Sequence, residues 1–413
     1  MNAYNDASLI MYPSGYKAGK LYSLKPTNGT GDFTVVRNTT ATRVDALGLI
    51  ESVAANVPRI DYTGGGCGSL LVEPAATNLV LRSEEFNDAS WAKTRSSISS
   101  NATTAPNGTS TADKLIASVD NNTHFILQSS IVVTAQIYSA SIFAKKAEYD
   151  TLRLRMVNLW SPTPTAVFNL TSKTVVSTTS ATASITEYSN GWFRLDLTAT
   201  INAIAGSNAQ LEVLVGNNSA VSFAGDGTSG VFIWGAQLEV GSVATSYIPT
   251  VASTQTRNAD VISLTSASAL IGQTDGTLYA EVDVSKLLGT VVRGMLTISN
   301  NTTANRIQIG FTGASANTIR VIYSGASTLN YNFAITTTGI YKIAFAYSAS
   351  STAFYVNGSL VSALGGNSFS ASVGNVYLGS VFDGTSALND RISAAALYTF
   401  RLSNAELIEL TTL

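Results

Sequence analysis

The chain has 413 residues, of which only 12% are charged, with 24 Lys and Arg nearly balancing 26 Asp and Glu. A formal net charge of −2 offers no basic stripe to neutralise phosphates, which excludes a nucleic-acid binder. The single cysteine, Cys67 in GGGCGS, excludes an intrachain disulfide and a cysteine-based zinc site.

In chain order, the amino-terminal MNAYNDASLIMYPSGYK has no basic region leading into an apolar core, so no signal peptide is expected and synthesis in the cytoplasm follows. No run of about 18 apolar residues is present, so no membrane insertion is expected. Residues 1–75 carry FTVVRNT at 33–39, then RVDALGLIESV, whose DALG reads as a tight hairpin turn, then the glycine-rich PRIDYTGGGCGS. This stretch is expected to be a β-arm without a core of its own, which anchors the chain by adding strands to a neighbour.

Period-2 alternation then dominates. Strands are expected in QIYSASIFAKK (136–146), DTLRLRMVNLW (150–160), WFRLDLTATI (192–201), AQLEVLVG (209–216) and GVFIWGAQLEV (230–240). A polar segment, 251–274, reads as a linker. Beyond it come TLYAEVDV, RIQIGFT, TIRVIYS, IYKIAFAYS, TAFYVNG and NVYLGSV, with Asn357-Gly358 as a two-residue hairpin signal. One helix closes the chain: in SNAELIEL, Ser403 stands three residues ahead of Glu406, a capping box. The fold class expected is all-β: two tandem antiparallel β-sandwich (jelly-roll) domains, at 76–250 and 275–413, preceded by the amino-terminal β-arm and ending in one short helix.

Several stretches carry family resemblances. TNLVLRSEEFNDASW (77–91), YSASIFAKK (138–146), ITEYSNGWFRLDLT (185–198) and GVFIWGAQLEVGSVATSYIPT (230–250), with TRNAD (256–260) after it, together resemble a jelly-roll carbohydrate-binding-like module common in tail and fibre proteins of bacteriophages. In that likeness, 232–240 is the last strand of the module, pairing back near NLVL, and Tyr247 and Pro249 end it. YKIAFAYSASSTAFYVNGSLV (341–361) and DRISAAALYTFRLSNAELIEL (390–410) resemble the concanavalin-like, laminin-G-like sandwich. The resemblance implies a non-enzymatic structural component of a tailed-phage virion, a tail fibre or other tail- or capsid-attached protein, which presents its modules for host-surface adhesion or subunit contacts. Its implied partners are other virion proteins, a host surface glycan and further copies of the same chain in a homo-oligomer. A dedicated receptor for host polysaccharide is the alternative, and a polysaccharide depolymerase a more distant one.

No catalytic or metal-binding residue is assigned. Glu281 and Asp283 in YAEVDVSK alternate onto one strand face, as in glucan-cleaving sandwiches, but the third carboxylate of that pattern is replaced by Lys286. His124, the one histidine, has neither a nucleophile elbow nor a second ligand at useful spacing. No cofactor is expected, although Asp226 in AGDGTSG and Asp383 in FDGTSAL are turn residues that could contribute to structural calcium loops. For glycan binding, which needs an aromatic platform and planar polar groups, the candidates are Tyr149, Arg153 and Trp160. Trp192 and Trp234 are expected in the core.

Overall fold

A computed structural model describes residues 3–157, 162–201, 207–287 and 289–413. Among the described residues the strand pairings with a given register are antiparallel, and the fold is all-β apart from a helical turn at Ala3–Asp6, two 3-10 turns and the terminal helix Asn404–Thr411. That helix starts as its sequence requires: Ser403 Oγ accepts from the Glu406 amide at 3.4 Å, while Glu406 Oε2 accepts from the Ser403 amide at 2.8 Å.

The chain divides into two compact units, one of residues 44–52 and 76–257, the other of residues 1–43, 53–75 and 258–413. In the first, the sheet Trp91–Thr94, His124–Val133, Ser207–Gly216, Thr151–Val157, Thr165–Asn169 and Thr174–Thr179 packs on a second six-stranded sheet. The second sheet runs Ser96–Thr103, Ala112–Ala117, Gly230–Val240, Ile137–Lys146, Trp192–Thr200 and Thr182–Glu187. Alternate residues of both, such as Leu152, Leu154, Val213, Ile142 and Leu195, meet in one apolar core. Trp192 and Trp234, expected inside, are 0% and 1% exposed.

The other unit stacks an eight-stranded sheet on a nine-stranded one, and the core between them takes residues from both. The eight-stranded sheet is built around Gly276–Val284 and Asp390–Tyr398, the nine-stranded one around Asn375–Leu378 and Arg293–Ser299. Asn357 and Gly358 both take positive φ, 47° and 76°, as a tight two-residue hairpin needs.

The amino-terminal arm and the linker need correction. Leu9–Met11 and Ser69–Val72 both pair with Asp390–Tyr398, and Phe33–Val36 pairs with Val261–Leu264 inside the nine-stranded sheet. Leu9, Met11, Phe33, Val35, Leu70 and Val72 are core residues of that unit. These strands, 3 or 4 residues each, do add to a neighbour as expected, but the neighbour is the carboxy-terminal half of their own chain. The supposed linker likewise holds the strands Gln255–Arg257 and Val261–Leu264, and Arg257 is buried.

What joins the two distant segments is a buried ion network. Asp260 accepts from Arg37 Nη1 at 2.8 Å and from Arg59 Nη2, while Glu73 Oε2 accepts from Arg59 Nη1 at 2.6 Å. Burial by itself disfavours the Arg59 cation, and Asp260 and Glu73 more than reverse that, holding its proton above the usual arginine range.

Candidate functional site: the outer face of a six-stranded sheet

On Thr151–Val157, Leu152, Leu154 and Met156 turn into the core, which sends Arg153, Arg155 and Val157 to the opposite face. Strand register then fixes their neighbours. One row across the sheet reads Thr94, Phe125, Leu214, Arg153, Val167, Ser177. The next reads Ala92, Leu127, Glu212, Arg155, Thr165, Thr179.

Across these rows Glu212 binds both guanidinium groups: Arg153 Nη2 donates to Oε1 at 3.1 Å, and Arg155 Nη1 donates to Oε1 and Oε2 at 3.2 Å each. The side chains of Arg153 and Glu212 are 14% and 6% exposed, while that of Arg155 is 29% exposed. One carboxylate therefore serves two cations, leaving a local charge of +1. Burial first, and then the Arg155 charge, pull the Arg153 guanidinium below its ordinary range against the opposing attraction of Glu212. Arg153 Nε is buried with no hydrogen-bond partner among the described residues. Phe125 and Leu127 lie half-buried beside this trio, and the Arg95 guanidinium sits 5.9 Å from the centre of the Phe125 ring.

Of the three residues proposed from sequence, the structure places Arg153 on this face. Tyr149 is 9% exposed and meets Phe223 edge-on at 5.1 Å, so its ring is part of the interior rather than a platform. Trp160 lies outside the described residues. Sequence reasoning missed Arg155 as a partner, and it missed Glu212, 57 positions further along the chain.

The other candidates have structural work. His124 is fully buried between the carbonyls of Arg95 (2.7 Å) and Phe223 (3.0 Å). Glu281 accepts from the Tyr279 hydroxyl at 3.1 Å and Asp283 from Arg391 Nε at 3.3 Å. Asp226 Oδ1 accepts from the amides of Thr228 and Ser229, and Asp383 Oδ1 from the amide and hydroxyl of Thr385. Both are side-chain-capped turns. Among the described residues no group of three or more His, Cys, Asp or Glu could hold a metal ion.

The phrase 230–250 also proves to be a clasp. Gly230–Val240 pairs with Ala112–Ala117 and Ile137–Lys146, and meets the NLVL stretch through the Leu79 amide on the Leu238 carbonyl at 2.8 Å. Asn78 Nδ2 donates to the carbonyls of Ala236 and Ile248, and Gln237 Oε1 accepts from the Ile248 amide at 2.7 Å. Tyr247 packs on Trp234 at 4.6 Å, and its hydroxyl donates to Glu84 at 3.0 Å. Glu84 and Asp113 line an acidic cleft of about 490 Å³ next to this clasp. Asp113 already accepts from the amides of Phe86 and Asn101.

No family model matches the chain, and no curated protein matches it. Solved structures that are similar over part of it include the Ruminococcus gnavus IT-sialidase CBM40 bound to α2,3-sialyllactose: 21% identity, 34% of this chain, 84% of that one, TM-score 0.29. A leech intramolecular trans-sialidase is 20% identical over 34% of this chain and 24% of its own, with a TM-score of 0.29. The binding domain of botulinum neurotoxin DC in complex with SialylT is 9% identical over 37% of this chain and 39% of its own, with a TM-score of 0.31. Likenesses this low carry no argument about the site.

Proposed function

We propose that the chain is a non-catalytic adhesion protein of a tailed-bacteriophage particle, and that its 76–257 sandwich holds an acidic surface glycan on the face of Arg153, Arg155 and Glu212. The observation that supports this most is the trio itself: two guanidinium groups on one carboxylate, beside half-buried Phe125 and Leu127. A guanidinium fork suits a carboxylate or vicinal hydroxyls, and a flat apolar ring suits the C–H face of a sugar. The particle assignment is supported by the sequence resemblance of 77–91, 138–146, 185–198 and 230–250 to phage tail and fibre modules.

Arg155→Gln tests the site, because its partly exposed side chain can be changed with little effect on folding. Charge-assisted hydrogen bonds contribute about 1.5–3 kcal/mol, so affinity for an acidic surface polysaccharide should fall about tenfold or more, with the melting temperature nearly unchanged. Unaltered affinity removes this face from the proposal.

A further inference from the structure

A second basic pair lies on the other unit, on the outer face of its nine-stranded sheet. On Arg306–Phe311 and Thr318–Ser324, Ile307, Ile309, Phe311, Ile319, Val321 and Tyr323 point into the core. Their alternates Arg306, Gln308, Arg320 and Ile322 therefore face away from it. Gln308 pairs with Ile322 and, on its other side, with Thr297, while Arg320 pairs with Asn332.

Arg306 and Arg320 differ from several other embedded arginines. Arg37, Arg59, Arg153 and Arg391 each have a carboxylate within 4.0 Å. Among the described residues, neither Arg306 nor Arg320 has one, and neither guanidinium has a hydrogen bond. Both are only partly exposed, and the Arg306 guanidinium lies 4.7 Å from the Phe382 ring centre with its Nε fully buried. Gln308, between them in register, is 5% exposed, and its amide makes no hydrogen bond among the described residues. Burial lowers the proton affinity of both guanidinium groups, and on Arg306 the Arg320 charge adds to it while the Asp383 charge opposes it. Two like charges taken partly out of water without a counterion are costly. An arriving oxyanion would relieve that cost.

We propose that Arg306, Arg320 and Gln308 form a binding site for an acidic saccharide, with the two guanidinium groups on its carboxylate or sulfate and Gln308 and Asn332 facing its hydroxyls. The surroundings favour a sugar over a protein partner, because the exposed neighbours Asn330 and Asn332 are amides and Ile322 is buried. The site is independent of the face around Arg153.

The test uses the full chain carrying Arg155→Gln, so that the face on the first sandwich does not mask the result. Binding is measured to polygalacturonate, dextran sulfate and uncharged dextran. Adding Arg306→Gln and Arg320→Gln should weaken binding to at least one of the two polyanions about tenfold or more, with dextran unbound throughout. Which polymer responds separates carboxylate from sulfate. Lys146→Gln with Lys173→Gln, an equal change of charge elsewhere, should have little effect. If the double arginine variant misfolds, Arg320→Gln alone, on the more exposed guanidinium, should still weaken binding severalfold. Equal binding by the arginine variants and their parent, or an equal loss in the lysine control, overturns the proposal.

Discussion

Replacing Asp260 by Asn keeps the shape of the side chain and removes the negative charge that both Arg37 and Arg59 contact inside the second sandwich. Both arginine side chains are 0% exposed, so water cannot take over the lost interaction; Glu73 stays within reach of Arg59, and backbone carbonyls stay on both guanidinium groups without replacing the charge. Breaking a buried ion pair by removing one partner costs about 3–5 kcal/mol. That is a large share of the roughly 5–15 kcal/mol by which a domain is stable. With a urea dependence of about 2–3 kcal/mol per molar for a unit of this size, the midpoint should fall by roughly 1–2 M. The four tryptophans, Trp91, Trp160, Trp192 and Trp234, all belong to the first sandwich by sequence. Tryptophan fluorescence therefore reports that unit, and far-ultraviolet circular dichroism reports both. The expected outcome for Asp260→Asn is a dichroism transition displaced to lower urea, with a smaller displacement in fluorescence. A loss below about 1 kcal/mol would refute the reasoning, because a network that tolerates the change so easily is solvated rather than buried.

Three further outcomes follow from the same structure. Burial pushes the Asp390 carboxyl up to about 6, against the opposing effects of Ser285, Arg293 and Arg391. Its stabilising contribution is thus complete below about pH 4 and lost as pH rises through 6, about 3 kcal/mol in all at 1.36 kcal/mol per unit. Denaturation at pH 4 and pH 7 should show that difference in the parent and not in Asp390→Asn, and equal pH slopes would contradict it. Deleting residues 1–36 removes Leu9, Met11, Leu21, Phe33 and Val35 from the core of the second sandwich, so that unit should lose its cooperative unfolding transition; a truncated chain with an unchanged transition would show the strands to be dispensable. Antibodies raised against the chain should label tailed-phage particles at one defined location by electron microscopy, and unlabelled particles from a lysate that contains the protein would remove the virion assignment.

Much of the architecture is legible locally. Alternation places Ile142, Leu195 and Val213 inward, the Ser403–Glu406 spacing starts the helix, and Asn357-Gly358 turns its hairpin. What was illegible is non-local. Leu9 pairs with Leu397 and Val72 with Asp390, and nothing in a strand of 3 or 4 residues says which distant strand it will join. The arm was therefore read as reaching outward when it folds back. The same limit hid Glu212 beside Arg153 and Arg155, and the shared face of Arg306 and Arg320, because register between strands decides which side chains share a face. Tyr149 was misjudged for another reason: its neighbour Phe223 comes from a loop strand of 2 residues, 74 positions on, too short to announce itself.

The central claim, a non-catalytic protein that holds acidic glycans, is tested most directly by binding of the intact chain to acidic and neutral bacterial surface polysaccharides at graded salt, with released reducing ends measured in the same samples. The account predicts saturable binding to acidic polymers that weakens as salt rises, no binding to neutral ones, and no reducing ends. Binding to none of them, or release of reducing ends, would contradict it.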